Sequence, residues 1–232
     1  MPESRYGAIF DLDGTLVDSF DAHLIAWQSM SSRHGVPITL EHFERHFGRR
    51  NEDMLREIWS EAGHARLTDA KVDQLGREKE SLFRALVSKQ FPAMDGGREL
   101  LQALAVEGWQ LAVGSSAPIE NVDLALDGMR VREMFRAIVS GGDVKEGKPN
   151  PECFLLAARR LQLPPDRCVV VEDAPAGIKA ARAAGMRCIA ITSKGHRPET
   201  QRDANLVVRS LRELTPHVIS GLISPDINQC RN

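Results

Sequence analysis

Short apolar runs alternate along this chain with longer stretches in which apolar residues return every three or four positions. The short runs fall at 7–10, 110–114, 137–140, 167–172, 187–191 and 206–208 and are rich enough in strand formers to read as buried strands. Between and after the later ones, helical spacing covers 99–107, 118–126, 151–161, 175–184 and 211–220. Asn150 is placed to cap the third of these helices with Pro151 at its first position, and Gly185 closes the fourth. Strands alternating with helices of this length pair in parallel through right-handed crossovers, so the core is predicted to be α/β, a doubly wound parallel sheet.

One stretch breaks the alternation. From 18 to 92 only helical spacing is present, beginning with Phe20, His23, Leu24, Trp27 and Met30 or Ser31 and stopping at Gly35-Val36-Pro37. Further helices are predicted at 40–46, at 51–61 behind Gly48-Arg49-Arg50, and at 68–89, where Thr68 can cap. Residues 18–92 therefore read as an all-helical domain inserted after the first strand, with 1–17 and 93–232 forming the core. The connections near 15–19 and 90–96 would act as a paired hinge. The tail 221–232 lacks a period and is expected to be mobile.

Composition narrows the partners. A length of 232 residues suits one domain with a large insertion, or two domains, at roughly 150 residues each. A net charge of −2 offers no basic field for nucleic acid, and no basic amphipathic stripe suggests a membrane surface. Met1 to Arg5 lack a signal-like apolar region, and no run reaches the ~18 apolar residues of a membrane span, so a cytoplasmic protein is expected. Cys153, Cys168, Cys188 and Cys230 have no C-x-x-C spacing and are expected to be reduced and structural.

The candidate chemistry lies just past the strands. Asp11-Leu12-Asp13-Gly14-Thr15 follows the first strand, and residues two apart project to the same side, so two carboxylates can converge on one point. Taken alone, such a segment is also an ordinary Asp-Gly turn. Ser115-Ser116, Gly147-Lys148-Pro149 and Glu172-Asp173 each follow later strands. In a parallel sheet all these positions share the carboxyl edge, where open α/β sheets bind ligands. Individually, the serines could cap the helix from Pro118, Glu172-Asp173 could cap the helix from Pro175, and Lys148 could be a loop lysine; their joint occurrence favours a site. Gly142 to Pro149 nearly matches the nucleotide loop G-x-x-x-x-G-K-[ST], but Pro149 replaces the required hydroxyl and disfavours helix at Lys148.

These motifs, in this order, resemble the haloacid dehalogenase superfamily of phosphotransferases, in the helical-cap branch that includes β-phosphoglucomutase and small sugar-phosphate phosphatases. The resemblance extends to about Leu214 and implies a Rossmann-like core with a four-helix-type cap. It implies Asp11 as the nucleophile that becomes an aspartyl phosphate and Asp13 as the general acid/base. Ser115 would hydrogen-bond a phosphate oxygen and Lys148 would offset negative charge. Asp173 would bind Mg²⁺ with Asp11 and the Asp13 carbonyl, with Glu172 supporting the metal through water or indirectly. Electrostatics concurs, since unit charges at 4 Å repel by about 4 kcal/mol at an effective dielectric of 20. A hard divalent cation with oxygen ligands relieves that repulsion, and phosphate and water can complete the octahedron of Mg²⁺.

The inserted helices bear on the substrate. In 68–89, Val72, Leu75, Leu82 and Leu86 form a stripe that also contains Lys79, which is costly to bury unless it snorkels or meets an anion. His23 lies on an apolar face, commonly the place of a core histidine, but its spacing from Asp11 and the following Trp27 resemble β-phosphoglucomutase. Where the mutase would place an arginine for the far phosphate, this chain has Asn51 before Glu52-Asp53, with Arg49 and Arg50 displaced toward Gly48. An asparagine cannot replace the arginine fork. The expectation is a Mg²⁺-dependent phosphatase of a small phosphorylated sugar or polyol, with Ser116, His23, Arg49, Arg50, Asn51 and Lys79 around the substrate. A mutase and a noncatalytic phosphometabolite-binding protein are the alternatives. The partner is expected to be a small phosphorylated metabolite, with no nucleic acid or membrane, and the chain a monomer or weak dimer.

Overall fold

The computed structural model describes residues 6–89, 91–196 and 198–223. Its centre is one parallel sheet of six strands, β1 (Gly7–Phe10), β2 (Gln110–Gly114), β3 (Phe135–Val139), β4 (Cys168–Glu172), β5 (Arg187–Ile191) and β6 (Leu206–Val208), in the order β3-β2-β1-β4-β5-β6. Ile9 of β1 stands opposite Ala112 on one side and Val170 on the other. The chain winds outward from β1 in both directions, which makes the carboxyl end of β1 a topological switch point, where such sheets open a crevice.

Alternate side chains of each strand enter opposite cores. Phe10, Val113 and Val171 face α5 (Gly97–Val106), α6 (Ile119–Met129) and α9 (Pro216–Ile223) through Leu101, Leu126 and Ile219. Ile9, Ala112 and Val170 face α7 (Glu152–Leu161) and α8 (Pro175–Ala183) through Phe154 and Ile178. With both faces covered, β4 reads as an uninterrupted apolar run rather than an alternating one. α7 starts at Glu152, one residue later than expected, with Pro151 at the cap position, and the Asn150 side-chain oxygen accepts from the Glu152 N–H at 2.9 Å.

Between β1 and α5 the described residues form four helices: α1 (Phe20–Arg33), α2 (Leu40–His46), α3 (Asn51–Glu61) and α4 (Asp69–Val87). Thr39 and Thr68 cap α2 and α4 by accepting from the N–H groups of His42 and Lys71. These helices enclose their own core of Phe20, Trp27, Met30, Phe43, Leu55, Ile58 and Leu75. The chain leaves and re-enters the sheet side by side, with Val17 bridged antiparallel to Ala93 and the Asp18 N–H donating to Pro92 O at 2.8 Å.

Several predicted details differ. The buried stripe of α4 is Val72, Leu75, Lys79, Phe83 and Val87, with Glu80 beside it, whereas Leu82 and Leu86 are only half-buried. The segment 211–220 is not one helix. Ser210 and Glu213 form a capping box around the 3₁₀ turn Leu211–Glu213, the chain extends at Leu214, and α9 starts afresh at Pro216. Proline disfavours helical backbone at the residue before it but suits a first helical turn, which explains the break. Of the tail expected to be mobile, 221–223 complete α9 and 224–232 lie outside the described residues. Cys153, Cys168 and Cys188 are free and buried, and Cys230 lies outside the described residues. No helix among the described residues is long and apolar enough to cross a membrane.

Candidate active site

The site forms where β1 ends. The Asp11 N–H donates to Val171 O at 2.9 Å, so its backbone is still held by the sheet, and Gly14 then turns the chain with φ +80°. A side chain could not replace that glycine: a Cβ would lie 2.0 Å from Oδ2 of Asp173.

Behind Asp11 lies a buried ionic cluster. Lys148 Nζ donates to Asp11 Oδ1 at 2.5 Å and to Glu172 Oε1 at 2.7 Å. The other Glu172 oxygen accepts from the N–H groups of Asp173 and Ala174 at 2.7 and 2.6 Å. Glu172 thus holds both the strand-to-helix turn and the lysine, so its capping and site functions coexist. Burial disfavours the Lys148 charge, but Asp11 and Glu172 outweigh that and raise its proton affinity. Burial has the opposite result for Asp11, pushing it up to about 7 despite Lys148, with Glu172 and Asp13 adding repulsion.

Asp173 is fully buried. Its Oδ2 accepts from Ser193 Oγ at 2.7 Å, while among the described residues no donor reaches Oδ1. Burial raises its proton affinity well above the usual carboxylate range, and Glu172 and Asp11 add to the effect. Oxygens of Asp11, Glu172 and Asp173 lie within 4.8 Å of one another. An orphaned buried carboxylate oxygen beside other hard oxygen donors fits a divalent cation of the Mg²⁺ type.

Asp13 belongs to a second network. Its Oδ1 lies 3.0 Å from His23 Nε2, and His23 Nδ1 lies 2.7 Å from Lys79 Nζ. An ammonium can only donate, which makes Nδ1 the acceptor and Nε2 the donor to Asp13. Burial raises the proton affinity of Asp13, but the hydrogen bond from His23 and the nearby charge of Lys79 outweigh it and hold the carboxyl below its usual range. The His23 ring stacks on Phe83 at 3.8 Å with 1° between planes.

The network continues through Glu80. Its Oε1 accepts from Lys79 at 2.8 Å and from Asn51 Nδ2 at 2.6 Å, and its Oε2 accepts from Asn121 Nδ2 at 2.6 Å. Asn121 belongs to α6 beneath the sheet's carboxyl edge and accepts in turn from Arg84 at 2.9 Å. This chain of polar contacts joins the four-helix insert to the sheet.

Asp11, Asp13, His23, Arg49, Asn51, Lys79, Ser115 and Ser116 all line one cavity of about 40 Å³. Ser115 is buried and its Oγ accepts from the Ala117 N–H at 3.0 Å. Arg49 donates to Glu57 at 2.8 Å and to His46 Nδ1 at 2.9 Å. Arg50 does not line this cavity: it reaches Lys145 O at 3.1 Å and borders a neighbouring cavity of about 450 Å³. Sequence reasoning missed Glu80, Asn121 and Ser193. Ser193 was accessible to the rule that found Ser115, since it follows the carboxyl end of β5.

The family model for haloacid dehalogenase-like hydrolases matches residues 8–191. Hexitol phosphatase A of Escherichia coli is 34% identical, over 90% of this chain and 93% of its own length. Validoxylamine A 7'-phosphate phosphatase of Streptomyces hygroscopicus is 33% identical, over 91% of this chain and 97% of its own. Among solved structures, β-phosphoglucomutase from Clostridium difficile superposes with a TM-score of 0.86 at 26% identity, covering 97% of this chain and 98% of that one. The chain belongs to the haloacid dehalogenase-like hydrolase family. Within it, the enzyme is of the phosphoric monoester hydrolase class.

Proposed function

We propose that this enzyme is a Mg²⁺-dependent phosphatase of small sugar or polyol phosphates that works through an aspartyl phosphate, with residues 18–92 acting as a cap. The observation that carries the reading is the division of labour between Asp11, set against Lys148 and the unpartnered Oδ1 of Asp173, and Asp13, set against His23.

Asp11, Asp173 and the Asp13 carbonyl would hold the metal, with Glu172 acting indirectly because its oxygens already serve Lys148 and the turn. When bound, Mg²⁺ supplies the positive charge that keeps Asp11 ionised and the phosphate tolerable beside it. An Asp11 oxygen attacks phosphorus, the bond to the ester oxygen breaks, and Asp13 gives that oxygen its proton. The incoming phosphate raises the proton affinity of Asp13 through like-charge repulsion, which favours the protonated form needed there. Asp13 then removes a proton from water, whose oxygen attacks the acyl phosphate, freeing phosphate and Asp11. Ser115 and Lys148 position and neutralise the phosphoryl oxygens.

A phosphatase is favoured over a mutase because the cations along the cavity are already engaged: Lys79 with Glu80, Arg49 with Glu57. The Asn51 amide likewise serves Glu80. The names of the hexitol and validoxylamine phosphate phosphatases point to a polyhydroxylated leaving group. The test is phosphate release from hexitol phosphates with Mg²⁺ or chelator, in wild type and Asp11→Asn. Activity is expected only in the wild type with metal, and a fully active Asp11→Asn would exclude the covalent route. The mutase alternative is decided with β-glucose 1-phosphate and catalytic glucose 1,6-bisphosphate. Glucose 6-phosphate formed about a hundredfold faster than phosphate, roughly 2.7 kcal/mol between competing barriers, would establish a mutase.

A further inference from the structure

Glu80 is a buried anion on the wall shared by the two cavities, with Asn51 beside it. Three donors reach its carboxylate: Lys79 and Asn51 on Oε1, Asn121 on Oε2. A carboxylate has about four acceptor positions, so Oε2 retains one for a further donor. The cations lining the smaller cavity among the described residues are Arg49 and Lys79, and both are already paired with carboxylates. In this smaller cavity a hydroxyl meets an open acceptor, whereas a second phosphate or carboxylate meets Glu80 with Arg49 and Lys79 already paired; Arg50, Arg77 and Arg84 line only the larger cavity beyond that wall.

We infer that Glu80 is a specificity-determining residue that accepts a hydroxyl from an uncharged sugar or polyol leaving group and rejects substrates bearing a second anionic group. The inference rests on the phosphatase reading and adds the charge of the substrate's far end. Selection works by repulsion of the wrong ligand as much as by attraction of the right one. A purely structural Glu80, present only to neutralise Lys79, would affect all substrates alike.

The experiment compares fructose 1-phosphate with fructose 1,6-bisphosphate in wild type, Glu80→Gln and Asn51→Arg, with folding checked by thermal melts and 4-nitrophenyl phosphate as the common substrate. The wild type is expected to favour the monophosphate in kcat/KM by about a hundredfold, from like-charge juxtaposition at the far end. Glu80→Gln should narrow that ratio by at least about tenfold. Asn51→Arg, which places a cation against the same carboxylate without removing it, should narrow it in the same direction and carries the test if Glu80→Gln does not fold. A wild type that uses both esters equally well, or an unchanged ratio in a folded variant, overturns the inference. No phosphate from any of the three compounds would instead defeat the phosphatase reading. The mono-to-bisphosphate ratio is then read from calorimetric Kd values on the Mg²⁺-loaded proteins, where equality again overturns the role of Glu80.

Discussion

Lys148 Nζ lies 2.5 Å from Asp11 Oδ1 and holds Glu172 with its other hand, so one buried ammonium serves two buried carboxylates. Removing one partner of a buried ionic group leaves the others uncompensated and costs about 3–5 kcal/mol. Lys148→Met is expected to lose stability of that order in urea unfolding. It should also lose at least ~99% of phosphate release, equivalent to about 2.7 kcal/mol of transition-state stabilisation. Near-normal turnover would show that the charge of Lys148 is not needed at the phosphoryl group.

Gly177, in the first turn of α8, is the floor beneath Glu172. A Cβ there would stand 1.8 Å from Glu172 Oε1, the oxygen that holds Lys148. Helix propensity alone favours alanine by about 1 kcal/mol. Overpacking costs typically ~1–3 kcal/mol, so Gly177→Ala is expected to lower stability on balance and to reduce turnover as the carboxylate shifts. A variant as stable and active as wild type would mean that this wall yields freely.

The sheet and its carboxyl edge were legible because local signals sufficed: Val169-Val170-Val171 is a strand by composition, and Glu172-Asp173 follows it directly. The same holds for Asp11, Asp13, Ser115 and Lys148. Lys79 was noticed because a lysine interrupts an apolar stripe. Glu80 was not, because an acidic neighbour on a helix looks like a solvated residue, and its partner Asn121 lies on α6 of the sheet domain. Arg49 and Arg50 are adjacent in sequence, yet their side chains diverge, Arg49 to His46 and Glu57 and Arg50 to Asp53 and Lys145 O. Pro216 is a local stop signal within the last predicted helix, acting on Thr215 before it, and α9 begins only there.

Glu80 also sets an acid limit. Burial opposes its charge, but the charge of Lys79 and the hydrogen bonds from Lys79 and Asn51 outweigh that and hold its proton affinity down, from 4.5 to about 2. A carboxylate depressed in the folded state stabilises it fully above its unfolded value and loses that contribution as pH falls toward the folded one. The contribution is thus complete above about pH 4.5 and amounts to about 3 kcal/mol at neutral pH. Between pH 7 and pH 3 the wild type should lose about 2 kcal/mol that Glu80→Gln does not, measured as the difference in their urea-unfolding profiles. Parallel profiles would show that Glu80 is not ionised in this way.

The cavity at Asp11 and Asp13 measures about 40 Å³. At ~10–15 Å³ per water it admits only about three, far less than a sugar phosphate, so the insert is expected to open to admit substrate. In solution, BeF₃⁻ with a hexitol is expected to lower the radius of gyration from an open-state value toward the ~17 Å of a compact chain of this length. Small-angle scattering with and without these ligands measures the change. Identical profiles, with ligand binding shown separately, would count against a large closure.

The 2.8 Å hydrogen bond between Asp18 and Pro92, next to the Val17–Ala93 bridge, brings the start and finish of the insert together. β1 meanwhile takes its neighbours from β2 and β4, both outside the insert. Whatever helices hang from those two adjacent ends, the strands beneath can keep the same register and the same carboxyl edge. An insert exchanged at residues 18 and 92 is therefore expected to leave Asp11, Lys148 and Asp173 where they are, provided that it supplies a donor for Asp13 in place of His23.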